Sequence, residues 1–203
     1  MTTGLKAVVL DLGSVLEVVD DAVFPGPFQV RHGLGDDAVM VAAEGLSGDA
    51  GVGEVTEAQV RDHWQRELAL DDAAAEELMG DFWRWYVGTL DRELFDWFSG
   101  LRARGLRVGI LSNSAPGARE AEACWGLEAV TDDIVYSHEV GLRKPDPAVF
   151  ALTADRLGVQ PGEVVLLDDI EANVLAARAC GWFGVHHVET TTSIAAIEAL
   201  IGP

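Results

Sequence analysis

The chain has 203 residues, 49% of them apolar, enough for one domain of ordinary size or for a core with a smaller insertion. A net charge of −20, from 34 acidic and 14 basic residues, argues against nucleic acid and anionic membranes as partners, and no apolar run approaches the ~20 residues of a membrane span. Cys124 and Cys180 have no Cys or His at metal-ligand spacing and read as buried free thiols, while residues 1–6 show no basic region ahead of a long apolar stretch, so a cytoplasmic location is expected.

Ala7-Val8-Val9-Leu10 is a short apolar run that leads into Asp11 and a Gly13-Ser14 turn, the pattern of a strand buried on both faces of a parallel sheet. The breaker run Phe24-Pro25-Gly26-Pro27 reads as an exit from the core. From there to about Leu90 no strand is expected. Asp36 can cap a short helix through Val39, Val41 and Ala42, and 45–53 reads as a flexible joint. Thr56 and Gln59 form a capping-box pattern ahead of Val60, Trp64 and Leu68. Asp71 caps a further helix with Leu78, Phe82, Trp85 and Tyr86 near helical spacing.

The rhythm then changes. A helix from Asp91, with Leu94, Phe95, Phe98 and Leu101 on one face, stops at Gly105. A strand over 106–111 ends in Ser112-Asn113-Ser114, and Pro116 opens a helix that closes at Gly126. Ile134-Val135-Tyr136 is a short strand, and Asp146-Pro147 starts a helix ending at Gly158. Residues 163–167 form another buried strand, which ends in Asp168-Asp169. A helix over 171–180, a strand over 184–188 and a helix over 193–201 complete the chain. Alternation of this kind predicts an α/β fold, a doubly wound parallel sheet with helices on both faces and a helical insert after its first strand. The expected division is a core of residues 1–16 and 91–203 and an insert of 17–90.

In a parallel sheet the residues just past each strand meet along one edge, where open α/β sheets bind ligands. That edge would gather Asp11, Ser112-Asn113, Lys144 and Asp168-Asp169. Three clustered carboxylates cannot all stay ionised without compensation, because like charges raise one another's pKa values. A divalent cation and Lys144, one of only two lysines in the chain, would supply it. Mg²⁺ takes oxygen ligands and tolerates one or two carboxylates plus a substrate phosphate, so phosphoryl transfer to a carboxylate nucleophile is the chemistry these parts fit.

The order of Asp11, Ser112, Lys144-Pro145 and Asp168-Asp169 on four successive strand ends resembles the haloacid dehalogenase superfamily, most of whose members are Mg²⁺-dependent phosphatases. The stretches Ser137-His138-Glu139-Val140-Gly141 and Asp168-Asp169-Ile170-Glu171-Ala172-Asn173-Val174 are close to its usual wording, and the likeness covers nearly the whole chain. It implies a Rossmann-like core with the helical insert as a cap over the site. It also implies Asp11 as nucleophile and metal ligand, Ser112 and the Asn113 backbone as phosphoryl contacts, and Lys144 as the balancing charge. Asp169 would be the main acidic metal ligand, Asp168 a second ligand or one acting through water, and Asn173 a support for the metal shell.

Gly13 departs from the pattern. Most phosphatases of the superfamily carry a second Asp there, a general acid and base worth about 10²–10⁴ in rate. The backbone carbonyl used as a metal ligand remains. The Asp-Leu-Gly-x-Val form resembles a helical-cap branch that includes sugar-phosphate phosphatases; Glu17 and Asp20 follow in the next turn as minor candidates, and what replaces the missing acid is not legible. Expected, then, is hydrolysis of a small phosphorylated metabolite through an aspartyl-phosphate on Asp11. Two alternatives stand beside it: a non-catalytic or regulatory protein of the same fold, and a metal-free 2-haloacid dehalogenase. In the insert, Arg31, His32, His63, Trp64, Trp83, Arg84 and Trp85 are candidates to touch substrate, with Trp64 and Trp85 read first as packing residues. His186 and His187 read as structural, away from the metal. Substrate identity and oligomeric state are not legible.

Overall fold

In the computed structural model, which describes residues 4–202, side chains alternate across the sheet from the first strand onward. Val8 and Leu10 of β1 (Ala7–Leu10) join one apolar core and Ala7 and Val9 another, and all four are fully buried. Residues 1–3, part of the stretch read for a leader, and residue 203 lie outside the described residues.

The chain continues through β2 (Glu17–Val18), α1 (Gly26–His32), α2 (Ala38–Glu44), α3 (Glu57–Glu67), α4 (Asp72–Val87) and β3 (Thr89–Leu90). Next come α5 (Arg92–Gly100), β4 (Arg107–Ser112), α6 (Ala118–Glu122), α7 (Leu127–Val130), β5 (Asp133–Tyr136) and α8 (Ser137–Val140). The last elements are α9 (Pro147–Leu157), β6 (Val164–Asp168), α10 (Glu171–Ala179), β7 (Phe183–His186) and α11 (Thr190–Ile201). Five strands form a parallel sheet in the order β5-β4-β1-β6-β7. Leu94, Phe98 and Ile197 from α5 and α11 cover one face, and Val149, Phe150, Leu157 and Ala177 from α9 and α10 cover the other. The predicted doubly wound α/β architecture is the observed one.

The helices between β2 and β3 have a core of their own, built on Phe24, Phe28, Val39, Trp64, Leu78 and Met79. Thr56 and Gln59 form the expected capping box, and Asp71 caps α4 through the Ala74 amide. Among the described residues no helix is long and apolar enough to cross a membrane.

Several local expectations are corrected. The breaker run is not only an exit: α1 starts inside it, because Pro27 occupies the first turn, where a missing N–H costs nothing. Two strands, β2 and β3, pair antiparallel at the two ends of the helical stretch, and at two residues each they are too short to show a period. The run after Pro116 breaks into α6 and a 3₁₀ turn over Ala123–Trp125. That turn leaves Cys124 exposed, and Cys180 is half-buried, so both thiols are free but neither is in the core.

The 45–53 joint is also anchored. The Ser137 hydroxyl donates to the Gly51 carbonyl at 2.6 Å, Arg143 pairs with Asp49 at 2.8 Å, and Asp49 caps the short turn Ala50–Val52. Gly53 lies so close to α8 that a Cβ on it would sit 2.0 Å from the His138 carbonyl oxygen, in a backbone with φ +74°. Gly53→Ala is therefore expected to cost about 2–4 kcal/mol, read as a drop in the denaturant midpoint. Gly33→Ala, at φ +64° with open space around it, should cost only about 1 kcal/mol.

Candidate active site

Because β1, β4 and β6 run parallel, their carboxyl ends deliver Asp11, Ser112 and Asp168 to one edge. Lys144 reaches the same place from the loop before α9. Its ammonium is fully buried, 2.8 Å from Asp11 Oδ2 and 2.7 Å from Asp168 Oδ2. A buried cation needs such partners, and these two carboxylates need the cation. The side chain of Asn113 fixes the loop from below: its Nδ2 donates to the Lys144 carbonyl at 2.9 Å, and the Lys144 amide donates to its Oδ1 at 2.8 Å. That side chain is thus committed to the lysine loop, leaving the Asn113 backbone to face a ligand.

Asp168 is held by donors from three residues. It accepts from Lys144, from the Ile170 amide at 2.9 Å and from Asn173 Nδ2 at 3.0 and 3.2 Å. Asp169, half-exposed, turns toward the cavity instead. That cavity, about 350 Å³, is lined by Asp11, Gly13, Ser14, Glu17, Ser112, Asn113, Asp169 and Asn173, with Trp85 and Tyr86 above them. Of the residues expected at the sheet edge, Asp11, Ser112, Asn113 and Asp169 line this cavity, and Lys144 and Asp168 lie buried against Asp11 outside its lining.

Asp11, Asp168 and Asp169 each offer an oxygen within 4.8 Å of the others. An all-oxygen set of this kind fits a hard cation such as Mg²⁺. With protein groups alone, burial pushes the Asp11 carboxyl up to about 7; Lys144 opposes the shift and the Asp168 charge adds to it. Asp169 is raised as well, by burial and then by its neighbour Asp168. A cation among these oxygens would reverse that balance, since its charge favours the ionised forms.

Of the two acids considered as substitutes, Glu17 lines the cavity, as does Asp21, and Asp20 does not: Asp20 accepts from the Ala22 amide in an exposed turn. Glu17 is buried and accepts from Trp125 Nε1 at 3.1 Å. Behind it, Glu122 accepts the Tyr136 hydroxyl. Burial, then the facing Glu122 charge, raises Glu17 to about 9, and Glu122 itself rises to about 7, again mainly through burial.

The candidates in the helical segment divide. Trp85 lines the Asp11 cavity, while Trp64 and Trp83 line a second one. The other four are engaged elsewhere: Arg31 and Arg84 with Asp81, His32 with Glu77, and His63 with the Ala42 carbonyl. Tyr86 was legible only as an apolar helix position, yet its hydroxyl accepts from the Ala115 amide at 3.3 Å just past the Ser112 strand end. His186 is not remote from the acids, since its Nε2 lies 2.7 Å from the Asp169 carbonyl oxygen. His187 contacts Ser193 at 2.9 Å.

Comparison with known proteins matches residues 5–181 to the family model described as haloacid dehalogenase-like hydrolase. The chain belongs to this family. A phosphatase of Mycobacterium tuberculosis is 34% identical over 119 residues, 57% of this chain and 54% of that protein. A fructose-1-phosphate phosphatase of Escherichia coli is 40% identical over 78 residues, 38% of this chain and 41% of its own length. The chain thus spans about half or less of these relatives. A family enzyme from Bacteroides thetaiotaomicron, solved with magnesium and inorganic phosphate, superposes with a TM-score of 0.75 at 21% identity, covering 91% of this chain and 95% of that one. At that identity the likeness speaks for the fold.

The raised Glu122 carboxyl sets a pH dependence of stability. In the unfolded chain it ionises near its ordinary value of 4.5, and in the fold only near 7, so its contribution is fully present below the first value and is lost as pH rises through the second. Glu122→Gln keeps an acceptor for Tyr136 and cannot ionise. Its Tm relative to the unaltered protein, in chelator, should rise by about 3–6 °C between about pH 5 and about pH 8.

Proposed function

We propose that the protein is a Mg²⁺-dependent phosphomonoesterase acting on a small phosphorylated metabolite, with residues 1–16 and 91–203 as its catalytic core and 17–90 as a helical cap. The observation that carries this reading is the convergence of Asp11, Lys144, Asp168 and Asp169 on one sheet edge. Phosphatase relatives matched over part of their length support it.

In this reading the Asp11 carboxylate attacks phosphorus, the ester oxygen leaves with a proton, and an aspartyl-phosphate forms. Water then cleaves that acyl phosphate and restores Asp11. Ser112 and the Asn113 amide hold phosphoryl oxygens, and Lys144 balances the charge shared by nucleophile and phosphate. Asp11, Asp169, the Gly13 carbonyl and Asp168, directly or through water, would hold Mg²⁺, which supplies charge neutralisation for the phosphoryl group. Glu17, which lines the cavity together with Asp21, stands in for the missing aspartate, since the Asp21 carboxylate accepts from Trp85 Nε1.

Phosphate release from an aryl ester should require Mg²⁺, vanish in chelator and fall by at least about 10³-fold in Asp11→Asn. No turnover across sugar phosphates, nucleotides and acyl phosphates with Mg²⁺ present would favour the non-catalytic reading. Halide release from a 2-haloacid in chelator would favour the dehalogenase. A Cβ on Gly13 meets nothing within 4 Å, and Gly13 faces the cavity, so Gly13→Asp starts without a clash at its Cβ. It should raise kcat on alkyl phosphates, whose leaving groups need a proton most, by about tenfold or more while changing aryl phosphates little.

A further inference from the structure

The two adjacent aspartates at the end of β6 are anchored in different ways. The Asp168 carboxylate is held by Lys144, the Ile170 amide and Asn173, and its carbonyl accepts from the His187 amide at 2.9 Å, which prolongs the β6–β7 ladder. Asp169 stands one residue beyond that ladder. Lys144 pairs with Asp11 and Asp168 rather than with it, and its side chain lines the Asp11 cavity. The direction of the Asp169 carboxylate is therefore set by the backbone of a single residue between β6 and α10.

That backbone is gripped on both sides of one peptide. The N–H of the Asp169–Ile170 peptide donates to Asp168 Oδ1 at 2.9 Å, and its carbonyl oxygen lies 2.7 Å from His186 Nε2. His186 ends β7 in register with Asp168, which brings its ring across the strand end. A carbonyl only accepts, so Nε2 carries the hydrogen in either charge state of the ring. The amides that follow are engaged elsewhere, since Asn173 and Val174 both donate to the Ile170 carbonyl. His186 is exposed, so water satisfies the same carbonyl when the ring is removed. What water does not supply is a fixed direction for a planar peptide, and with it for the Cα–Cβ bond of Asp169.

Resting on the Mg²⁺-dependent reading above, we propose that His186 is a positioning residue for the cation site. By holding the Asp169–Ile170 peptide it aims the Asp169 carboxylate at the oxygens of Asp11 and Asp168. It touches neither substrate nor cation and acts only through Asp169.

The metal alone is the probe. Binding of Mg²⁺ to the full chain, followed by calorimetry and by displacement of Mn²⁺ in electron paramagnetic resonance, should weaken about tenfold in His186→Phe, which keeps a ring and loses the donor. His186→Asn, whose shorter amide does not reach the carbonyl, should repeat that loss without an apolar ring. His186→Gln restores a donor at similar reach and should recover affinity to within about threefold. Each variant is checked for folding by circular dichroism. The deciding readout is a double-mutant cycle: in an Asp169→Ala background, His186→Phe should change Mn²⁺ affinity by less than about twofold, because the group through which it acts is gone. A histidine that only supports the fold would weaken binding equally in both backgrounds.

Unchanged affinity in His186→Phe, no recovery in His186→Gln, or an equal loss in the Asp169→Ala background overturns the proposal. Absence of phosphate release from every ester, with this binding pattern intact, overturns the phosphatase reading and leaves the assignment of His186 standing. Turnover whose Mg²⁺ requirement is the same in His186→Phe overturns that assignment alone. No binding of either cation by the unaltered protein overturns both.

Discussion

The buried ammonium of Lys144 is the interaction on which the site depends. Asp11 and Asp168 end adjacent parallel strands, so the sheet forces their charges together whatever the rest of the chain does. Without a cation between them, one would have to stay protonated or turn away. Lys144 bridges both and offsets part of the negative charge that the sheet edge gathers in a protein of net charge −20. The division of labour between the two adjacent aspartates follows from the same contact. Asp168 is consumed in holding lysine, asparagine and backbone, and Asp169 is left facing the cavity.

A second tier of carboxyls lies beneath this one. Burial raises both the Glu17 and the Glu122 carboxyls, even though Arg119 partly offsets the shift at Glu122, and Trp125 and Tyr136 donate to them. The same physics thus has two solutions within one core: pairing with an ammonium where charge is needed, and neutralisation where it is not. Of the two glutamates, Glu17 borders the cavity at Gly13.

Much of this was legible in the sequence because it follows from strand ends. Asp11, Ser112, Lys144 and Asp168-Asp169 each follow or neighbour a short apolar run, and parallel pairing is enough to gather them. What escaped was set by contacts between distant segments. Tyr86 occupies an apolar position in the pattern of α4, and only the fold brings its hydroxyl to Ala115. His186 reads as a strand residue, and the β6–β7 register sets it against Asp169. The 45–53 stretch is rich in glycine and so reads as loose, but Gly53 is needed for close approach to α8 rather than for freedom. Asn113 had been considered for its backbone, and the pair of bonds from its side chain to the Lys144 main chain could not be inferred from spacing.

Arg143 and Lys144 are neighbours in the chain and answer to opposite sides of the cleft. Arg143 grips the rim of the helical segment through Asp49, and Lys144 grips Asp11. One short loop therefore registers both whether the roof is seated and whether the floor is charge-balanced. Parting the rim from the core would release Arg143 and leave the lysine loop tethered by Asn113. The peptide bond joining Arg143 to Lys144 therefore links the Asp49 contact on one side of the cleft to the Asp11 contact on the other.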